Sequence, residues 1–292
     1  MGLTPLISAE WNWRVQLLIP AILSLIATAL AWRYFPESPR WLESRGRYQE
    51  AEKVMRSIEE GVIRQTGKPL PPVVIADDGK APQAVPYSAL LTGVLLKRVI
   101  LGSCVLIAMN VVQYTLINWL PTIFMTQGIN LKDSIVLNTM SMFGAPFGIF
   151  IAMLVMDKIP RKTMGVGLLI LIAVLGYIYS LQTSMLLITL IGFFLITFVY
   201  MYVCYASAVY VPEIWPTEAK LRGSGLANAV GRISGIAAPY AVAVLLSSYG
   251  VTGVFILLGA VSIIVAIAIA TIGIETKGVS VESLSIDAVA NK

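Results

Sequence analysis

Polar side chains recur at helical spacing inside stretches of this chain that are otherwise apolar. Asn110, Gln113, Tyr114 and Asn118 stand at i, i+3, i+4 and i+8, which places them on one face of a helix. Asn228 and Arg232 stand one turn apart in a later stretch, with Ser224, Gly231 and Gly235 on or beside the same face. Amides, a phenol and a guanidinium hold a solute by hydrogen bonds and charge, and the guanidinium fork suits a carboxylate. The first face either lines a polar cavity or supplies hydrogen bonds between helices. Arg232 either grips an organic anion, pairs structurally, or acts in a gate. The chain has no histidine, which excludes an imidazole proton relay, a histidine metal ligand and a Ser-His triad.

A second set of residues is charged and stands at the ends of the apolar stretches. Glu37 and Arg40 occur in Pro36-Glu37-Ser38-Pro39-Arg40-Trp41-Leu42, where two prolines end a helix and free opposite charges to pair. Asp157 and Arg161 share the tight turn Asp157-Lys158-Ile159-Pro160-Arg161-Lys162. Glu213 leaves one stretch and Arg222 enters the next, and Glu275-Thr276-Lys277-Gly278 follows the last. Ion pairs between helix ends are the chemistry these residues offer. Ordinary solvated charges in loops are the alternative.

The elements that position both sets are seven long apolar runs, near 15–34, 99–120, 134–156, 163–181, 185–211, 223–247 and 251–274. Each approaches the roughly 20 residues that a helix needs to cross about 30 Å of hydrocarbon. Only a helix satisfies every backbone group within one such segment in lipid, so the fold class is an all-α polytopic membrane protein. A composition 57% hydrophobic and 13% charged agrees, and disfavours a soluble enzyme. Cys104 and Cys204 fall inside apolar runs, which indicates neither a zinc site nor a disulfide framework. Neither a cofactor nor a metal is expected. The net charge of +5 needs no nucleic acid to explain it, since basic connections are the rule on one side of a membrane.

Lys and Arg concentrate on alternate connections: the long segment from Arg40 to Arg98, the turns Lys158 to Lys162 and Lys220 to Arg222, and the tail. The opposite side carries Arg14 and Lys132. The positive-inside rule makes the first set cytoplasmic, with the C-terminus inside and the start outside. No cleavable signal explains an external start, so the expectation is that spans upstream are missing or that the first helix inserts unusually. The division expected is 1–35 as an external start and a first span, 36–97 as a cytoplasmic linker, 98–276 as a six-helix bundle and 277–292 as a tail. In the linker, Ala51, Val54, Met55 and Ile58 predict an amphipathic helix. Gly144, Pro146 and Gly148 predict a bend and a close helix approach. Tyr200, Tyr202 and Tyr205 either stack on an aromatic solute or pack in the core. Arg232 lies about 15 Å along its helix from Gly223, near the membrane middle, and no acid of the chain lies at that depth.

The four charged motifs together resemble the sugar-porter branch of the major facilitator superfamily. The Pro-Glu-Ser-Pro-Arg-Trp-Leu string matches that family's signature after its sixth helix. The stretch from Glu213 to Gly223 is similar to the Glu-x-x-Pro-x-x-x-Arg-Gly element. The turn from Asp157 to Lys162 resembles Asp-Arg-x-Gly-Arg-Arg with Pro160 in place of glycine. Glu275 to Gly278 resembles Pro-Glu-Thr-Lys-Gly with Ile274 in place of the proline. The resemblance implies an incomplete facilitator fold: helices six to twelve, meaning the last helix of the N-terminal bundle and the C-terminal six-helix bundle.

It also implies secondary active transport by alternating access in a bacterial inner membrane, probed by a small-molecule solute and dependent on the lipid bilayer and the N-terminal helices. Glu37, Arg40, Asp157, Arg161, Glu213 and Arg222 would form the gating ion pairs; Asn110, Gln113, Tyr114, Asn118, Asn228 and Arg232 would bind the solute. The paired glutamines and Ser-Gly of hexose carriers are absent from the stretch Asn110 to Asn118, so the resemblance implies an organic anion or aromatic acid in preference to a hexose. Proton coupling belongs to the full-length parent, because no carboxylate lies mid-membrane here. The alternatives are a truncated fragment that does not transport, a sugar transporter, and a seven-helix receptor.

Overall fold

The computed structural model describes residues 9–70, 86–216 and 219–278, and every regular element in them is helical. The chain forms two compact units, Met1–Ala81 and Pro82–Lys292.

In the first unit, α1 (Ala9–Tyr34) is long and apolar enough to cross a membrane. None of its apolar stretch Leu17–Tyr34 is buried against protein. A helix that presents Leu17, Leu23, Leu25 and Leu30 on its surface is at home in hydrocarbon and not in water. Next comes α2 (Pro39–Ser44), which starts on a proline, the residue pre-set for a first helical position. α3 (Tyr48–Thr66) packs on it through Leu42 and Ala51 and stops at Gly67, whose left-handed backbone returns an N–H to the Ile63 carbonyl at 2.9 Å. The expected apolar stripe on α3 is only partly covered: Ala51 is buried and Val54 half-buried, while Met55 and Ile58 are exposed.

The second unit runs α4 (Tyr87–Leu90), α5 (Gly93–Thr126), α6 (Leu131–Met142), α7 (Gly144–Val155), α8 (Arg161–Ser180), α9 (Met185–Val203), a π-helix (Cys204–Tyr210), α10 (Val211–Glu213) and α11 (Lys220–Ile272). Helices α6 and α7 make one span, Leu131–Val155, and α9 continues through the π-helix into the span Met185–Glu213. At 1.5 Å per residue the 53 residues of α11 would reach about 80 Å, more than twice the hydrocarbon thickness. Gly250, at φ 65° and ψ −161°, breaks it into two limbs, 220–249 and 251–272. Only glycine enters that region without strain. With that break, the described residues contain the seven spans expected from the apolar runs.

α5 is the most buried span and packs along α11, which also lies against α8. Outward faces are apolar too: Phe143, Phe147, Phe150 and Met153 are exposed. Apolar surface facing both inward and outward is the pattern of a helix bundle in lipid. This is an integral membrane protein. Tyr202, Tyr205 and Tyr210 are fully buried; the Tyr205 and Tyr210 rings stack at 5.0 Å and 15°. Tyr202 donates its hydroxyl to the Val105 carbonyl at 3.1 Å. Tyr202 and Tyr205 are therefore packing groups in this arrangement, and Tyr200 is half-buried.

α7 meets α9 backbone to backbone: a Cβ added at Gly148 would strike the Thr197 carbonyl, and one at Gly144 the Phe193 carbonyl. In lipid, where apolar side chains gain little by leaving their solvent, such close approach is what makes two helices adhere. Gly148→Ala is expected to destabilise the bundle by about 1–3 kcal/mol, since α9 must shift to admit the methyl group. Gly167→Ala, whose new Cβ would touch nothing within 4 Å, is the control. Thermal unfolding in detergent checks the pair, and equal melting temperatures for the two variants would contradict the packing described.

Candidate functional site

α8 begins at a disadvantage. Its N-cap is Pro160, which offers no side-chain oxygen to the first amides of the helix. Glu275, 114 residues further on, supplies what is missing: its carboxylate accepts from the Arg161 N–H at 2.7 Å and the Lys162 N–H at 3.1 Å. It also accepts from the Lys277 N–H at 3.1 Å. An anion at a helix N-terminus is favoured by the helix dipole as well. Burial alone would push the Glu275 carboxyl up, but the three amides and the Arg161 guanidinium outweigh that and hold it below the ordinary carboxylate value.

The Arg161 side chain then joins three connections. It is buried, and its Nε and Nη2 donate to the two oxygens of Glu213 at 3.0 Å each, a bidentate fork. Nη2 reaches Asp157 at 3.4 Å, and Nη1 donates to the Met156 carbonyl. Glu213 is placed at the end of α10 and also accepts from the Thr276 hydroxyl at 2.5 Å. Tyr210 accepts from the Ile274 N–H at 3.0 Å, and Lys277 Nζ donates to the Lys158 carbonyl at 2.7 Å. The segment 273–278 is thus strapped across the start of α8 and the end of α10. Of the six charged residues singled out from sequence, the structure gathers Asp157, Arg161 and Glu213. Arg222 lays its guanidinium over the Tyr87 ring, 5.3 Å from its centre. Glu37 and Arg40 belong to the first unit: Glu37 is exposed before α2, and the Arg40 side chain lies outside the described residues. Tyr210 had no sequence signal; Glu275 and Thr276 stood in a motif, with no hint that Glu275 caps α8 or that Thr276 bonds Glu213.

The polar face within the spans is built where α5 meets the first limb of α11. A Cβ on Gly231 would come within 2.8 Å of Leu106 Cβ and 3.0 Å of Asn110 Nδ2. One on Gly235 would come within 3.1 Å of the Tyr114 ring. These two glycines let Asn110 and Tyr114 lie against the α11 backbone. Asn110 is buried and donates to the Leu106 carbonyl at 2.7 Å; Gln113 is half-buried and Asn118 exposed. On α11, Asn228 donates to the Ser224 carbonyl at 2.9 Å, and the exposed Arg232 donates from Nη1 to the Tyr114 hydroxyl at 2.8 Å. Arg232 is twelve residues into α11, about 18 Å along its axis. Among the described residues no group of three or more His, Cys, Asp or Glu could hold a metal ion.

A family model described as "Sugar (and other) transporter" matches residues 2–288. The chain belongs to that family. The E. coli inner membrane metabolite transport protein YdjE is 45% identical over 279 residues, which cover 95% of this chain and 62% of YdjE. The niacin transporter NiaP of Acinetobacter baylyi is 26% identical, over 95% of this chain and 62% of NiaP. A double tryptophan mutant of XylE superposes with a TM-score of 0.68 at 18% identity, covering 97% of this chain and 61% of that one. The major facilitator superfamily proton:xylose symporter XylE bound to 6-bromo-6-deoxy-D-glucose gives 0.60 at 22% identity. The fold of this sugar-transporter family member is therefore a major facilitator fold, and its relatives are transporters and not enzymes. It spans about three fifths of the length of the relatives named here.

Because the folded Glu275 carboxyl is held below its unfolded value, its contribution is present above the ordinary carboxylate value of 4.5 and disappears as pH falls through the lower folded value. Wild type is therefore expected to melt above Glu275→Gln near neutral pH, with the gap closing in acid. A gap that stays constant across that range would show that the carboxylate does not cap α8.

Proposed function

We propose that this chain is the solute-handling part of a secondary active transporter that works by alternating access, and that its solute is a small organic anion. Arg232 carries the reading. Its guanidinium lies about 18 Å along a membrane helix, and residues 223–274 contain no Asp or Glu. A permanent charge at that depth is costly unless it faces a watery cavity or meets an opposite charge. A carboxylate arriving with the solute meets that need, with Asn110, Gln113, Tyr114, Asn118 and Asn228 giving hydrogen bonds beside it. The name of NiaP supports an aromatic acid, niacin being a pyridine carboxylic acid. A relative named arabinose-proton symporter, 26% identical, keeps a sugar as the second reading.

In this reading Asp157, Arg161 and Glu213, with Glu37, Arg40 and Arg222, latch the cytoplasmic ends of the helices while the site faces outward. The C-terminus is cytoplasmic, as the basic turns require, and the membrane is the bacterial inner one, as for YdjE. The partners are the bilayer, the solute and the helices that precede these seven in a complete facilitator. Proton coupling is a property of that whole protein, since residues 134–156, 163–212 and 223–274 hold no carboxylate.

Solute uptake into proteoliposomes, with equilibrium binding measured on the same preparation, tests the reading against carboxylates, hexoses and pentoses. Carboxylates are expected to be taken up or bound, with a loss of about ten-fold or more in Arg232→Ala. A sugar handled in preference to every carboxylate, or anion handling untouched by Arg232→Ala, would overturn it.

A further inference from the structure

Arg232 on α11 and Tyr114 on α5 meet in a hydrogen bond between their side chains. The phenol oxygen of Tyr114 accepts from Arg232 Nη1 at 2.8 Å. A phenol that accepts through its oxygen still has its own hydrogen to give, and that hydrogen cannot point at a guanidinium, which has no acceptor. The guanidinium in turn has used one of its five N–H donors on the phenol. The half-buried Tyr114 ring lies against the bare backbone of Gly235, where an added Cβ would sit 3.1 Å from Cδ2 and Cε2. Asn110, one turn before it on α5, is held the same way against Gly231. The hydroxyl is thus pinned to α5 and the guanidinium to α11, and they meet at hydrogen-bonding distance on an exposed face.

Resting on the anion reading above, we infer that Tyr114 is the residue that positions Arg232 and completes a three-donor cradle for a planar carboxylate. Two N–H groups of the free guanidinium edge hold one carboxylate, and the phenol O–H donates to it as the third. Two consequences separate this from a tyrosine that merely packs. The cradle discriminates a carboxylate from its neutral amide, because an amide offers one acceptor and presents N–H groups to donors. The contributions of Tyr114 and Arg232 are also not additive, because each sets the geometry of the other.

The test uses the 292-residue chain in nanodiscs of zwitterionic lipid, so that no anionic headgroup competes. Nicotinate and benzoate are titrated calorimetrically, and nicotinamide and benzamide serve as neutral counterparts. Tyr114→Phe keeps the ring against Gly235 and removes only the hydroxyl. It is expected to weaken carboxylate binding about ten-fold while leaving amide binding unchanged, so that the acid-to-amide ratio falls. Arg232→Ala is expected to abolish the preference, and the double variant to be no worse than Arg232→Ala. Carboxylate binding that survives Tyr114→Phe intact but is lost in Arg232→Ala would overturn the cradle and leave the anion reading standing. An equal loss for acids and amides in Tyr114→Phe would likewise overturn it, as the mark of a packing role. Carboxylate binding unaffected by either substitution, or absent from the wild type, would overturn both.

Discussion

The bidentate contact between Arg161 and Glu213 is the interaction on which one whole end of the bundle depends. A guanidinium with only a small part of its surface exposed needs its donors placed, and here the Glu213 carboxylate, Asp157 and the Met156 carbonyl take four of the five. Those partners come from the end of α7, the turn after it and the end of α10. With Glu275 capping α8 and Thr276 bonded to Glu213, three connections meet around one side chain. Between lipid-facing helices there is little hydrophobic force to fix which helix end lies beside which. A charged node outside the hydrocarbon, with glycine contacts inside it, supplies that specificity.

The same logic separates the two polar regions. At the helix ends, charges are answered by charges of this chain, so the node closes on itself. Within the spans, the one hydrogen bond described for Arg232 goes to the neutral phenol of Tyr114, and in the proposed function an anion completes the site. One region holds helices together, and the other is the one to which the proposed function assigns the solute.

The apolar runs made the spans legible because their lengths are dictated by bilayer thickness, a constraint that acts on sequence directly. The break at Phe143 between α6 and α7 falls where Gly144, Pro146 and Gly148 predict a bend, since a proline removes a helix hydrogen bond. The π-helix at Cys204–Tyr210 carries no such mark in the sequence. The face from Asn110 to Asn118 was legible because helical spacing alone groups those residues. That Tyr114 touches Arg232 was not, since it depends on Gly231 and Gly235 bringing two distant helices together. In the charged set, Glu213 stood in one motif with Arg222, yet its carboxylate bonds Arg161, 52 residues away, because the start of α8 lies beside the end of α10. Pro160 marked a departure from a family turn, and only the fold revealed that Glu275 answers it.

The central claim is that Arg161 and Glu213 act as one unit in holding these helix ends. A double-mutant cycle on unfolding free energy, with Arg161→Gln, Glu213→Gln and both together, measures it directly. The account predicts that each single change costs about 2 kcal/mol and that the double costs little more than either one, as for a half-buried, hydrogen-bonded ion pair. Additive losses in the double variant would contradict it, because the two side chains would then be acting through separate contacts.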